Sequence, residues 1–285
     1  GYPKGLIPIL TVATPKTFKD QLTEPLTILT FLGTLLAGSG SIFYLWYTKG
    51  RDLWFRRKDL FDNPPAGGAK EETMPLGAHE TVVVEYSPPE NLRPAELGTL
   101  IDQKADTRDV TATIIDLAVR GYLTVTEEPK KWAFGKTDYI LSELDKDKEG
   151  LLHYEFYLLV QLFKDGKIVK VSSLKKTFYE ELAVVKNKLY ADVVDKKLFT
   201  KNPDTARSIY LGVGISAAIA GFVPIIVGIS NILAFVSAFG LALVINGLVL
   251  IAFSGHMPRR SAYGHELYRK VRGYELFIST AEKYR

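Results

Sequence analysis

The 285-residue chain contains no cysteine. That single absence removes disulfides, thiolate metal sites, iron–sulfur clusters and cysteine nucleophiles, although it identifies no redox compartment. Histidine is scarce: His79, His153, His256 and His265 are the four, and none has a metal-ligand spacing. His265-Glu266-Leu267-Tyr268-Arg269 begins like the zincin His-Glu-x-x-His signature, but Arg269 stands where the second ligand would be. No Gly-Lys-Ser/Thr phosphate loop occurs, and Gly38-Ser39-Gly40 lies inside an apolar run where it could cradle no nucleotide. Ser172/Lys175 and Ser173/Lys176 match Ser-x-x-Lys, a pattern that a helix cap followed by solvated lysines explains. No catalytic residue, cofactor or metal ligand is expected from the sequence. Charge is also missing from particular places. Residues 208–255 contain no Asp, Glu, Lys, Arg or His, and neither do residues 26–47.

These charge-free runs organise the rest. About 20 apolar residues cross a hydrocarbon core. Residues 208–255 therefore hold two spans, 209–229 and 232–253, joined by a turn at Ser230-Asn231, and residues 26–47 make another. Ionisable residues at mid-membrane mark ion and substrate paths. Their absence argues against a pump, an ion channel or a proton-coupled transporter built from this chain alone. The spans are rich in small residues four apart: Gly33 and Ala37, Gly212 and Ser216, Gly214 and Ala218, Ala217 and Gly221, Ala234 and Ala238. That spacing lets helix backbones approach closely, within one chain or between chains. Asn246 is strongly polar and deep in its span, so an interhelical hydrogen bond is its expected role. Pro224 is expected to kink its helix.

The flanks set an orientation. Tyr44, Trp46, Tyr47 and Trp54 form an aromatic belt where the first span ends. Residues 48–62 carry five Lys and Arg, against Lys16 and Lys19 in residues 11–25. Lys196, Lys197, Lys201 and Arg207 precede the apolar hairpin, and Arg259, Arg260, Arg269, Lys270 and Arg272 follow it. The positive-inside bias puts residues 48–207 and 256–285 in the cytoplasm of a multi-pass plasma-membrane protein, with the N-terminus outside. The formal net charge of +4 is better read through this local asymmetry than as nucleic-acid affinity.

The polar stretches read as follows. Residues 1–25 end an extracytoplasmic region; 6–12 could be a last strand there or part of a disordered leader. The chain starts with Gly1 rather than Met, which suggests a fragment or a processed product. Residues 48–79 are a cytoplasmic linker, with Pro64-Pro65, Gly67-Gly68 and Pro75 as its punctuation. Residues 81–86 are a β-branched strand candidate. A helix starts at Pro94, a second is capped by Asp106 or Thr107, and a third runs over 110–120 with Ala112, Ile115, Leu117 (or Ile114) and Ala118 inward. Gly121 stops it, and 122–126 and 138–141 form a hairpin. Helix, helix, helix, hairpin is winged-helix order, so residues 80–145 are read as a winged-helix-like domain. Residues 146–207 are a second helical unit, either a degenerate winged helix or a plain helical hairpin, with Ser172 or Ser173 as a cap. Residues 256–285 place Tyr263, Leu267, Val271, Tyr274 and Ile278 at helical spacing, either as a juxtamembrane helix on anionic lipid or packed on the soluble domain.

Several phrases resemble one known family. They are Gly1-Tyr2-Pro3-Lys4-Gly5, Lys49-Gly50-Arg51-Asp52, Tyr86-Ser87-Pro88-Pro89, Pro94-Ala95-Glu96-Leu97-Gly98, residues 111–122, Gly273-Tyr274-Glu275 and Ala281-Glu282-Lys283. In this order they are similar to the bacterial predicted membrane proteins of domain of unknown function 2207. The resemblance implies a larger parent, with a signal peptide and an extracytoplasmic β-rich domain before the first span and further chain after residue 285. It implies no activity and brings no catalytic residues.

The expected fold class is a mainly α membrane protein: three transmembrane helices, a cytoplasmic winged-helix-like α+β domain and a second helical unit. Its partners are the lipid bilayer and an unknown protein, self-association included. Nucleic acid is disfavoured, because the outward candidates on the third helix are Thr111, Thr113, Asp116 and Arg120, a poor electrostatic footprint for DNA. Lys130-Lys131-Trp132 could touch phosphate but follows Glu127 and Glu128. The expected function is a non-catalytic scaffold or sensor that binds protein. The alternatives are a membrane-tethered DNA-binding regulator and an accessory subunit of a transporter or enzyme.

Overall fold

The computed structural model describes residues 17–55, 70–78, 81–128 and 137–283. Residues 6–12, Arg56-Arg57-Lys58, the prolines and glycines at 64–68, His79 and Lys130-Lys131-Trp132 lie outside them. In chain order the elements are α1 (Phe18–Leu22), α2 (Pro25–Leu45), β1 (Leu53–Phe55), β2 (Glu71–Thr73), α3 (Pro94–Asp102), α4 (Thr107–Val119), β3 (Leu123–Glu128), β4 (Asp138–Glu143), α5 (His153–Leu162), β5 (Ile168–Lys170), α6 (Val171–Thr177), α7 (Tyr179–Asp195), α8 (Pro203–Ser230), α9 (Ala234–Phe253) and α10 (Ala262–Lys283). They form two compact units: one is built from residues up to Leu45 and from Ile209–Gly255, the other from Trp46–Ser208 and His256–Arg285.

Among the described residues, three helical stretches are long and apolar enough to cross a membrane: Pro25–Gly50, Pro203–Ser230 and Ala234–His256. Pro25 opens α2, where its missing N–H costs nothing. A π-turn over Trp46–Gly50 ends the first stretch. There the Arg51 guanidinium lies 3.7 Å from the Tyr47 ring centroid, and its Nε donates to the Tyr47 carbonyl at 2.8 Å. The helix α8 runs through Pro224 to Ser230, and Ile232 turns the chain at φ 54°. Glycine sets how near α8 comes to α9. A Cβ on Gly221 would fall 2.7 Å from the Gly240 carbonyl oxygen, and one on Gly214 would fall 2.9 Å from the Gly247 carbonyl oxygen.

The other unit has two cores. In one, Ala95 and Leu100 of α3 meet Leu189 and Val193 of α7 and Leu267 and Val271 of α10. Each fully buried aliphatic side chain contributes about 1.5–3 kcal/mol. The tail helix α10 is thus part of this core. In the other core, α4, α5 and α7 close over a three-stranded antiparallel sheet of order β3-β4-β5, with Val125 opposite Leu141 and Leu141 opposite Val169.

Several details differ from the sequence reading. Two helices precede the hairpin rather than three, because Asp106 caps one continuous α4: its side chain accepts from the backbone N–H groups of Arg108 and Asp109. Ile115 faces outward, 57% exposed, because the buried stripe of α4 is Asp109, Val110, Thr113 and Leu117. Residues 81–86 form no strand. The linker holds two: β1 pairs antiparallel with β2. Residues 171–195 form a helix pair broken at Phe178, one of the two arrangements that the apolar spacing allows, but Lys170 rather than a serine stands at the N-cap of α6. Ser172 hydrogen-bonds Asp138, and the Ser173 hydroxyl donates to the Lys170 carbonyl.

Candidate functional site

Asp52 stands seven residues beyond the end of α2, and Arg260 seven beyond the end of α9. The two form a clasp. Arg260 is 7% exposed. Its Nη1 donates to Asp52 Oδ2 at 2.8 Å, and its backbone N–H to Asp52 Oδ1 at 2.8 Å. Nε donates to the Leu100 carbonyl at 2.9 Å and Nη2 to the Ile101 carbonyl at 2.8 Å. Those carbonyls belong to the last turn of α3, where a cation meets the negative end of the helix dipole. The guanidinium carbon lies 4.1 Å from the Tyr268 ring centroid. His265 Nδ1 is 3.5 Å from Asp52 Oδ2. Burial alone would raise the Asp52 carboxyl, but the His265 hydrogen bond and the Arg260 charge outweigh it and hold the group below its ordinary value. Removing one partner of such a pair strands a buried charge, at a cost of about 3–5 kcal/mol.

A second set of charges joins α3, α4, α5 and α7. Glu96 and Glu155 are fully buried. Each is the third residue of its helix and reaches back to the helix start: Glu96 Oε2 accepts from the Arg93 N–H at 2.9 Å, and Glu155 Oε2 from the Leu152 N–H at 3.0 Å. Lys196 pairs with Glu96, and Arg120 pairs with Glu155 and, at 2.8 Å, with Asp116. Tyr154 is 1% exposed, and its hydroxyl has no hydrogen-bond partner among the described residues. Burial, then the Glu96 and Glu155 charges, push its pKa up, so it stays protonated. With Arg93, whose Nε lies 3.8 Å from Glu155 Oε1, three bases face three acids, and nothing in the set pairs a nucleophile with a free base. Among the described residues, no three acids or histidines gather as a metal site. His153 Nδ1 lies 2.9 Å from Asp192 Oδ1 and is otherwise exposed.

The outward face of α4 differs from the expected one. Thr113 is 2% exposed, and Asp116 and Arg120 are held in the ion-pair set. Thr111 is exposed as expected, and Arg108, Ile115 and Val119 face outward in place of the other three, with Val119 82% exposed. This face offers one base and two β-branched apolar side chains.

In the membrane helices, Asn246 is 7% exposed. Its Nδ2 donates to the Thr34 carbonyl at 3.1 Å, and its Oδ1 accepts from the Ser39 hydroxyl at 3.0 Å. Gly38 makes the room: a Cβ there would fall 2.2 Å from Asn246 Nδ2. Gly214 and Ala218 face α9 at Gly247, whereas Gly33, Ala37, Gly212 and Ser216 are exposed, and nothing lies within 4 Å of a Cβ built on Gly33 or Gly212. A cavity of about 460 Å³ between α1, α2, α8 and α9 is lined by Leu22, Phe31, Leu32, Ile225, Ala238 and Leu241.

The sequence reading missed the clasp and the paired glutamates. Arg260 and Glu155 lie outside the phrases that carry the family resemblance, but Asp52 falls in Lys49-Gly50-Arg51-Asp52 and Glu96 in Pro94-Ala95-Glu96-Leu97-Gly98. Gly98 of the latter clears space for α4, since a Cβ on it would lie 2.1 Å from Asp109 Oδ1. A family model described as "Predicted membrane protein (DUF2207) C-terminal domain" matches residues 83–283. Neither a curated protein nor a solved structure matches the chain.

Proposed function

The chain belongs to the DUF2207 family of predicted membrane proteins, and from that premise we propose a non-catalytic, multi-pass scaffold or sensor of the plasma membrane. The N-terminus lies outside, and residues 48–207 and 256–285 lie in the cytoplasm. The soluble unit is a winged-helix-like platform for a protein partner, with α4 at the position of a recognition helix. One observation carries this reading: the outward face of α4 presents Ile115 and Val119 with Arg108 as its base. Exposed apolar side chains on a helix suit a protein groove. Base edges and phosphates call for amides and guanidinium groups. The clasp supports the sensor part, because it ties the segment after α2 to the segment after α9 inside one folded unit.

The test compares wild type with an Ile115→Glu/Val119→Glu variant, using the whole chain because α10 belongs to the core. In-membrane cross-linking from an α4 side chain should give one discrete protein adduct in wild type, lost in the variant. Binding to random duplex DNA should stay absent at low salt. A DNA affinity that falls steeply with salt would instead establish phosphate contacts and favour the membrane-tethered regulator.

A further inference from the structure

Residues 81–86 read Thr-Val-Val-Val-Glu-Tyr, a composition that favours a strand. They run with no turn, no bend before Tyr86 and no positive φ, yet they pair with no strand among the described residues. Residues 81–85 make no backbone hydrogen bond to any described residue. Val82, Val83 and Val84 are 41%, 60% and 40% exposed, and Tyr86 is 76% exposed. One edge of the segment is covered. The Val83 carbonyl sits against α10 at Gly273, where a Cβ would lie 1.9 Å from that oxygen. In an extended chain the N–H and C=O of one residue point to the same edge, and neighbouring residues point to opposite edges. The main-chain groups of Val82 and Val84 therefore face away from α10, toward an open edge. An open edge of this kind is a template for another extended chain.

We infer that residues 81–85 pair, antiparallel and about Val83, with the same segment of a second copy of this chain. Three considerations select that occupant. A two-fold dimer brings identical segments together antiparallel. Centring on Val83 sets Val82 opposite Val84 and Glu85 opposite Thr81, so no like charges meet. Five paired residues are also a small interface, below the roughly 1,000 Å² that a freely diffusing pair needs. Two copies held in one bilayer meet at raised effective concentration, an advantage a soluble partner lacks. This inference is independent of the α4 reading, since it uses a different surface and only the membrane-spanning character of the chain.

The absence of cysteine makes the test direct. In the inferred register Val83 faces Val83 in a non-hydrogen-bonded pair, with Cα atoms about 4.5 Å apart, inside disulfide range. The full chain carrying Val83→Cys should form a disulfide-linked dimer under mild oxidation in membranes. Thr81→Cys alone would hold its two sulfurs' Cα atoms roughly 13 Å apart and should cross-link at least about ten-fold less. Mixing Thr81→Cys with Glu85→Cys chains should restore the cross-link as a mixed dimer. Adding Val84→Pro to Val83→Cys removes an open-edge N–H and should abolish the dimer; the thermal midpoint of that variant shows whether it folds. The inference is overturned if Val83→Cys stays monomeric, if Thr81→Cys alone cross-links equally well, or if the adduct has the mass of another protein.

Discussion

Asp109 carries an electrostatic cost within the unit built from Trp46–Ser208 and His256–Arg285. It is 7% exposed. Burial is the largest influence on its carboxyl; the Asp106 N–H opposes it, the Asp106 and Asp102 charges add to it, and Lys186 opposes it, leaving a pKa pushed up to about 6. The folded chain thus takes up a proton near pH 6, while the unfolded chain takes it up near the ordinary carboxyl value of 3.8. Stability must rise as pH falls through the folded value and level off once the unfolded chain is protonated too. The gain is at most about 2 kcal/mol, since nearby solvent screens part of it. Asp109→Asn keeps an acceptor for the Asp106 N–H, which now donates to Asp109 Oδ2 at 2.8 Å. Its thermal midpoint should be higher than wild type at pH 7.5, and its rise on acidification from about pH 7 to 4 should be flatter. Thermal denaturation in detergent across that range measures both. A lower midpoint with an unchanged slope would show that the carboxylate stabilises the fold.

At the scale of elements, small residues sort into two classes that spacing alone does not separate. Gly221 lies where α8 and α9 touch, and Gly33 lies on the open face of α2. Gly221→Leu must part the two helices and should cost about 1–3 kcal/mol or more. Gly33→Leu meets nothing and should stay within about 0.5 kcal/mol. Thermal midpoints in detergent compare them, and equal losses would contradict this assignment. The three apolar helices were legible because hydrocarbon demands long charge-free runs; the largest shift is at the start of α8, which begins at Pro203 rather than at residue 209. The cap of α4 was legible only as a choice between Asp106 and Thr107, because both are local signals and the structure takes Asp106. Glu96 and Glu155 were not, because their N-cap partners are Arg93 and Leu152, residue types that announce no capping box. Nor could any local pattern join Asp52 to Arg260, which are 208 residues apart. Ile115 misled for a different reason: an apolar residue on an apolar helix says nothing about its face until the buried stripe is fixed by Val110, Thr113 and Leu117.

For the whole molecule the decisive property is its orientation in the bilayer. Every basic flank argues for the same side, and the turn between α8 and α9 carries no charge. The cysteine-free background again allows single reporters. Ser230 ends α8 and is exposed, and Glu149 is exposed between β4 and α5. In intact cells, Ser230→Cys should react with a membrane-impermeant maleimide, and Glu149→Cys should react only after permeabilisation. The two variants must give opposite results, because α8 is long enough to cross the membrane between them. The reverse pattern would turn the molecule over. The outward face of α4 would then meet the extracytoplasmic space, where a DNA-binding role has no substrate and a cytoplasmic partner could not reach Ile115 or Val119. The strand edge at residues 81–85 would survive that reversal, since two copies in one bilayer share whichever side they occupy. The two interaction surfaces therefore separate at this scale: the reading of α4 depends on which way the chain faces, and self-pairing through Val83 does not.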